Sequence, residues 1–432
     1  MSMNNRQNFY VKNHNGLLPI RKGKGWIEHL LTTLFMLCFC RFCVAEVSGP
    51  IKYAIKAGKI LTVTKGTIDH GVILIENGVF KAVEKTANAG IPKGYKVIDA
   101  SDKWVMPGMV EIHSHLAGEG GLNDMVVPTN PGLRIADVID PEDWGIPRAV
   151  ASGVTTVHTI PGSGTNFAGF GVLYKLHGKT IDEMLIRELG SMKISQAYNP
   201  ERGGGDLGLS RMGMSWILRD ILNKGKAYTQ VHQAYEKGEI KGDPGERLEY
   251  ENMRQAIEGS IPTLVHTASA RDVMATARIF HDEYQLKTIV SHATFHGYKV
   301  AKEMAQRDVH VNVGPRQYDF PFSMDNKFYG LAAEYKAAGV KNLSLNTDAP
   351  VLPQEDLFFQ GSMAIHFGLD EKTALESVTI NSARAIGIDD RVGSIEVGKD
   401  ADLIIKSGSL FDVTIPVDMV FINGKIAYRK DT

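Results

Sequence analysis

Eight short apolar runs, separated by longer stretches with helical spacing, constrain the fold of this 432-residue chain more than any other feature. They fall at 108–115, 153–159, 171–176, 191–195, 262–266, 287–292, 309–313 and 343–347. Strands that alternate with helices build parallel sheets, because each crossover returns the chain along one face. Eight such units predict an α/β fold, a closed (β/α)8 barrel of the TIM type. Apolar spacing supports helices over 297–307, 326–338 and 371–386. The link 196–261 is much longer than the others, and long excursions on a rigid barrel are where selectivity sits. Inside it, Gly203-Gly-Gly-Asp reads as a flexible loop.

The two ends read differently. Runs such as Gly71-Val-Ile-Leu-Ile-Glu-Asn-Gly and Met419-Val-Phe-Ile-Asn-Gly-Lys are β-rich and divided by Gly and Asn turns. They predict one small β-sandwich assembled from 51–105 and 390–432, flanking a barrel at 106–389.

Residues 1–45 have the layout of a signal peptide. Arg21, Lys22 and Lys24 precede an apolar run from Leu30 to Cys40, and Cys43-Val-Ala45 puts small residues before a cleavage point. An apolar core of about 11 residues falls short of the roughly 20 that a membrane-crossing helix needs, so no stable membrane anchor is expected. The expected location is periplasmic or extracellular. All three cysteines, Cys38, Cys40 and Cys43, lie in this leader, so the exported chain has no thiolate for a disulfide or a metal. Without the leader, 42 Lys and Arg face 48 Asp and Glu, a net charge of −6 with His neutral. Such a surface argues against nucleic acid as a partner.

Any metal must then be held by imidazole and carboxylate. In Pro107-Gly-Met-Val-Glu-Ile-His113-Ser-His115, residues i and i+2 of a strand project to one side and can grip one ion together. His266, His292 and Asp348 each close another apolar run, and strand ends in a barrel converge on one face. A lone histidine after a strand is commonly structural; four strands ending this way argue for a site. By contrast, His158 reads as a packing residue, His296 as either surface or pocket, and Lys175 with Gly162-Ser-Gly-Thr-Asn-Phe-Ala-Gly as part of a tight loop. Tyr198, Arg202 and Tyr318 follow strands on the catalytic face and are candidates for binding a substrate carboxylate or carbonyl.

The chain resembles the amidohydrolase superfamily, in particular its imidazolonepropionase-like and prolidase-like branches, over nearly everything after residue 50. The resemblance rests on Val105-Met-Pro-Gly-Met-Val-Glu-Ile-His-Ser-His, Ala151-Ser-Gly-Val-Thr-Thr-Val, Ser291-His-Ala-Thr, Asn381-Ser-Ala-Arg-Ala-Ile-Gly and Gly393-Ser-Ile-Glu-Val-Gly-Lys-Asp-Ala-Asp-Leu. It implies two divalent metals, with His113 and His115 on the more buried one, His266 and His292 on the other, and Asp348 beside the nucleophilic water. Neutral imidazoles and a carboxylate suit zinc or a similar ion. It also implies a bridging lysine carbamylated by CO2, for which Lys193 stands on the fourth strand. An unmodified ammonium there would repel both ions.

Two departures from the family pattern bear on the substrate. Ala197-Tyr198-Asn199-Pro200 replaces the Gly-Glu-Asn-Pro of similar chains, removing a carboxylate. His266-Thr-Ala-Ser269 has serine where the deaminase branch carries a proton-donating glutamate. The expected activity is hydrolysis of a C–N bond in a small molecule: an amide, a dipeptide or a cyclic amide. Two rivals stay open, a mononuclear deaminase or cyclohydrolase acting on a nitrogen heterocycle, and a non-catalytic binding protein on the same barrel. The partners this reading leaves for the chain are a small-molecule or dipeptide substrate and further copies of itself in a homo-oligomer.

Overall fold

The computed structural model describes residues 51–86, 90–118, 121–197, 199–202, 207–319 and 327–431. Residues 1–50, which hold the expected signal peptide and all three cysteines, lie outside the described residues, as do Gly203-Gly-Gly-Asp and Tyr198. None of the described helices is long and apolar enough to cross a membrane.

Four strands come first: β1 (Lys52–Leu61), β2 (Thr67–Glu76), β3 (Val79–Lys85) and β4 (Tyr95–Pro107). Gly108 then leads into β5 (Met109–Ser114), followed by β6 (Val154–Thr159), β7 (Phe167–Phe170), β8 (Val172–Lys175), β9 (Leu185–Arg187) and β10 (Met192–Ser195). Next are β11 (Thr263–His266), β12 (Thr288–His292), β13 (His310–Val313), the short pair β14 (Tyr318–Asp319) and β15 (Tyr329–Gly330), and β16 (Leu343–Leu345). The chain closes with β17 (Leu403–Lys406), β18 (Val417–Ile422) and β19 (Lys425–Arg429).

Both ends meet in one sheet of order β19-β18-β17-β4-β1-β2-β3. The strands expected to form a small β-sandwich from both ends thus share one hydrogen-bonded ladder. Alternation serves both of its faces: Ile55, Ile73 and Phe80 fill one core, while Ala54, Val72 and Leu74 fill another.

The middle of the chain is an α/β fold of TIM-barrel type, and all eight expected runs carry strands. Its ladder differs from a closed parallel ring. Among the described residues it forms two sheets, β5-β6-β8-β9 and β16-β13-β12-β11-β10-β7. The third run, which holds β8, is preceded by the unforeseen strand β7, and both are antiparallel to their neighbours, β8 to β6 and β7 to β10. The link 160–166 before it is too short for the dozen or more residues of a parallel crossover, so the chain must turn back. Gly171 joins β7 to β8, and a Cβ there would lie 2.4 Å from His158 Nε2. No ladder joins β16 to β5 among the described residues; His115 N–H donates to Ala349 O there at 2.8 Å.

Outer helices complete the fold. The expected helix over 371–386 is two, Glu371–Ser377 and Ile380–Ile386, because Val378 O leaves the helical ladder to accept from Val110 N–H of β5 at 2.9 Å. In the long link, helices Arg211–Glu236 and Leu248–Ile257 bury Leu218, Leu222 and Met253 against Phe167, Phe170 and Met192. Lys175, expected in a tight loop, is instead buried in β8. Its ammonium lies 2.5 Å from Asp402 Oδ2 and 3.1 Å from Asp400 Oδ2, tying barrel to terminal sheet.

Candidate metal centre

The six residues expected at the site converge at the C-terminal ends of the barrel strands. His113 lies in β5 with His115 just beyond it, Lys193 lies in β10, and His266 and His292 end β11 and β12. Asp348 follows β16 by three residues. His113 Nε2 and His115 Nε2 stand 3.2 Å and 3.4 Å from Asp348 Oδ1, and His292 Nε2 is 3.9 Å from Asp348 Oδ2. Lys193 Nζ is 3.5 Å from His113 Nε2. The ring of His292 packs 4.3 Å from that of His113 and 4.4 Å from that of His266.

Two triads present ligand atoms within 4.8 Å of one another, His113 with His266 and His292, and His113 with His115 and Asp348. Both are donor sets of imidazole nitrogen and carboxylate oxygen, which suit zinc-like cations. His266 Nδ1 and His292 Nε2 are buried with no hydrogen-bond partner, a costly arrangement that a cation would relieve. His292 Nδ1–H donates to Gly314 O at 2.7 Å and His115 Nδ1–H to Ile160 O at 2.8 Å, so in both rings Nε2 keeps the free lone pair. His292 and Asp348 also sit at φ 71° and 50°, in the left-handed region that histidine and aspartate enter more readily than most residues.

Burial governs the protonation states. It pushes His113, His266 and His292 below the usual histidine range, with nearby Lys193 adding to the effect. Burial lowers Lys193 to about 7, against the pull of Asp348. For Asp348 burial acts upward, but His292 and His113 hold the carboxyl well below its ordinary value. The pocket therefore offers neutral imidazoles, a carboxylate and an amine that gives up its proton far more readily than an ordinary lysine.

The model of the amidohydrolase family matches residues 208–427. This chain belongs to the amidohydrolase family. Among curated proteins it is similar to the amidohydrolase tasK of Hapsidospora irregularis, 24% identical over 395 residues, spanning 82% of this chain but 39% of that protein. It is also similar to an imidazolonepropionase of Mesorhizobium japonicum, 22% identical over 386 residues, or 83% of this chain and 90% of the other. A solved amidohydrolase from Thermotoga maritima superposes with a TM-score of 0.78 at 29% identity, covering 88% of this chain and all (100%) of that one.

Beneath the converging groups, this amidohydrolase has a layer of buried polar residues that sequence reasoning passed over. Glu111, fully buried two residues before His113, accepts from four donors. They are His113 N–H (2.9 Å), Thr347 N–H (2.8 Å), Thr347 Oγ1–H (3.0 Å) and Gln354 Nε2–H (3.4 Å). It thereby ties the His113 segment to the Asp348 segment. Burial pushes its carboxyl up to about 7 against the pull of these donors. The signal was its place between two apolar residues, Val110 and Ile112, in a strand wholly buried: a charge there requires partners.

The remaining candidates are less central. Arg202 ends the short turn Pro200–Arg202. The Tyr318 ring stacks on Phe367 at 4.8 Å. His158 is the packing residue expected, held between Ile112 O (3.0 Å) and Ser191 Oγ (3.3 Å), and burial lowers it to about 3. His296 is half-buried, with its N–H donating to Asp319 Oδ2 at 2.5 Å. Ser269, at the place of the deaminase glutamate, caps helix Ala270–Thr276, bonding Asp272 Oδ2 at 3.0 Å.

Proposed function

We propose that this chain is an exported, binuclear metal-dependent hydrolase that cleaves a C–N bond in a small amide, a dipeptide or a cyclic amide. The observation that carries it is the convergence of four histidines, Lys193 and Asp348, two of whose imidazole nitrogens are buried without a partner. His113 and His115 would hold one cation and His266 and His292 the other, zinc or a similar ion. When bound, the cations supply Lewis acidity, lowering the pKa of water and polarising the scissile carbonyl. Asp348, ionised and within reach of His113 and His115, takes the proton of the attacking water and returns it to the departing nitrogen.

Lys193, once carbamylated, would supply the anionic ligand that a pair of cations needs. Its neutral amine attacks CO2, forms an N–C bond and releases one proton, leaving a carbamate. An amine with a pKa of about 7 is available for this at neutral pH. Tyr198, Arg202 and Tyr318 are the proposed contacts to the substrate. Export rests on the leader pattern at 1–45. The family relationship supports hydrolysis of a C–N bond, and the relatives' names include both an imidazolonepropionase and adenine deaminases; between these, Ser269, occupied in capping a helix, speaks against a deaminase.

Metal content per chain, measured on wild type and Lys193→Ala purified with bicarbonate, tests the proposal. Two ions falling to one or none in the variant, with dipeptides or cyclic amides turned over by wild type, is the expected result. One ion in both proteins, with ammonia released from a heterocycle, would replace it with the mononuclear reading.

A further inference from the structure

Below the metal-binding end, a chain of buried polar side chains runs through the barrel interior and has no part in the hydrolysis just described. His113 Nδ1 meets Ser291 Oγ at 2.5 Å, and Asn312 Nδ2–H donates to the same oxygen at 3.1 Å. Ser344 Oγ–H donates to Asn312 Oδ1 at 2.9 Å, and His310 Nε2 meets Ser344 Oγ at 2.7 Å. Ser291, Asn312 and Ser344 are fully buried, and His310 is 9% exposed. His310 opens β13 and lines a cavity of 670 Å³ with Lys287, Thr288 and Asn342, at the N-terminal ends of the strands. Its Nε2 is turned inward to Ser344, which leaves Nδ1 for the cavity.

Each link dictates the position of the next proton. Among the described residues the Ser291 hydroxyl hydrogen has no acceptor but His113 Nδ1 while Asn312 donates to Ser291, so it goes there, and the His113 proton sits on Nε2, 3.2 Å from Asp348 Oδ1. With Ser344 donating to Asn312, Ser344 can only accept from His310, whose proton is then on Nε2. Every donor in this arrangement has an acceptor. A cation on His113 Nε2 needs that lone pair, so the neutral ring must carry its proton on Nδ1; Ser291 Oγ can accept it beside the Asn312 N–H, but the buried Ser291 hydroxyl hydrogen then loses its acceptor.

Turning over the Asn312 amide restores one, since its oxygen and nitrogen have nearly the same shape. Ser291 then donates to Oδ1, Nδ2 donates to Ser344, Ser344 donates to His310 Nε2, and the His310 proton moves to Nδ1. No net proton is transferred: His113 and His310 each lose one to water from one nitrogen and regain one on the other. Burial holds His310 at about 3, so the ring is neutral at working pH and free to choose its tautomer.

We propose that Ser291, Asn312, Ser344 and His310 are positioning residues that set the tautomer of the ligand His113, and that His310 switches from Nε2–H to Nδ1–H when a cation binds. The inference rests on His113 being a metal ligand. It is tested on full-length protein with 15N-labelled histidine, using two-bond 1H–15N correlation spectra, which separate the two tautomers. The His310 signals are identified by their loss in His310→Gln. The sample is titrated with Zn2+ and its bound metal measured alongside. The expected result is a tautomer change at His310 in step with bound zinc, abolished in Ser344→Ala, which keeps every ligand residue and still binds the ion. If wild type binds zinc with His310 unchanged, or if the response persists in Ser344→Ala, the inference is overturned and the hydrolase proposal stands. Wild type that binds no zinc overturns both.

Discussion

Replacing Glu111 with Gln changes one atom in the buried layer under the site and should be costly. Glu111 Oε1 accepts from His113 N–H, while Oε2 accepts from Thr347 N–H, Thr347 Oγ1–H and Gln354 Nε2–H. A glutamine has one acceptor oxygen, so its amide nitrogen must face donors on one side. The cheaper placement keeps oxygen toward Thr347 and Gln354 and sets NH2 against His113 N–H. At least two buried donors then lack acceptors, the His113 N–H and one amide hydrogen. At about 1–3 kcal/mol each, the loss is about 2–6 kcal/mol, a large share of a typical folding stability of about 5–15 kcal/mol. The shift of His113 should also weaken metal binding by roughly 10–100-fold, the usual effect of losing a group that orients a ligand. The assay is urea unfolding of metal-free wild type and Glu111→Gln at pH 8.5, above the value of about 7 to which burial pushes Glu111, with zinc affinity measured by competition. A variant within about 0.5 kcal/mol of wild type and equal in zinc affinity would refute the argument that only a carboxylate can serve these four donors.

Other consequences are equally open to measurement. Asp348→Asn keeps an oxygen near His113 but cannot accept the proton of water, so metal content should persist while kcat falls by about 10²–10⁴-fold; undiminished kcat would remove Asp348 from the proton transfer. Burial holds His158 and His310 at about 3, below the ordinary 6.5, so their neutral forms stabilise the fold fully above pH 6.5, and that stability is lost as pH falls through 3. Each histidine can contribute on the order of 5 kcal/mol to this loss, and acid unfolding of His310→Gln should show a shallower slope; a wild-type curve flat from pH 6.5 to 4 would contradict it. Lys175→Met leaves Asp402 buried without its cation and should cost about 3–5 kcal/mol in urea unfolding, with Lys175→Met/Asp402→Asn recovering part of it. Equal losses in the single and double variants would mean that the ion pair is not what Lys175 contributes.

The eight apolar runs and the polar residues that end them were legible in the chain because both are local: a buried parallel strand needs consecutive apolar residues, and its end is where a barrel exposes chemistry. His113, His115, His266, His292 and Asp348 could be named for this reason, Lys193 only through the family resemblance, and the structure brings all six together. The break between Ser377 and Ile380 was not legible, since apolar spacing continues across it and only Val110 of β5, far away in sequence, claims the Val378 carbonyl. Lys175 looked like a loop residue because its partners, Asp400 and Asp402, arrive from the other end of the chain.

What the sequence determined by itself was therefore the set of strands, the donor atoms at their ends and the family they imply, all functions of residue type and short spacing. Tertiary structure alone decided which way the third run points, that both termini share one sheet, and that Glu111, Ser291, Asn312 and Ser344 form the polar layer behind the ligands. Those outcomes depend on which distant backbone and side-chain groups satisfy one another once water is excluded. No single segment carries that information, because a buried donor's acceptor can lie anywhere in the chain.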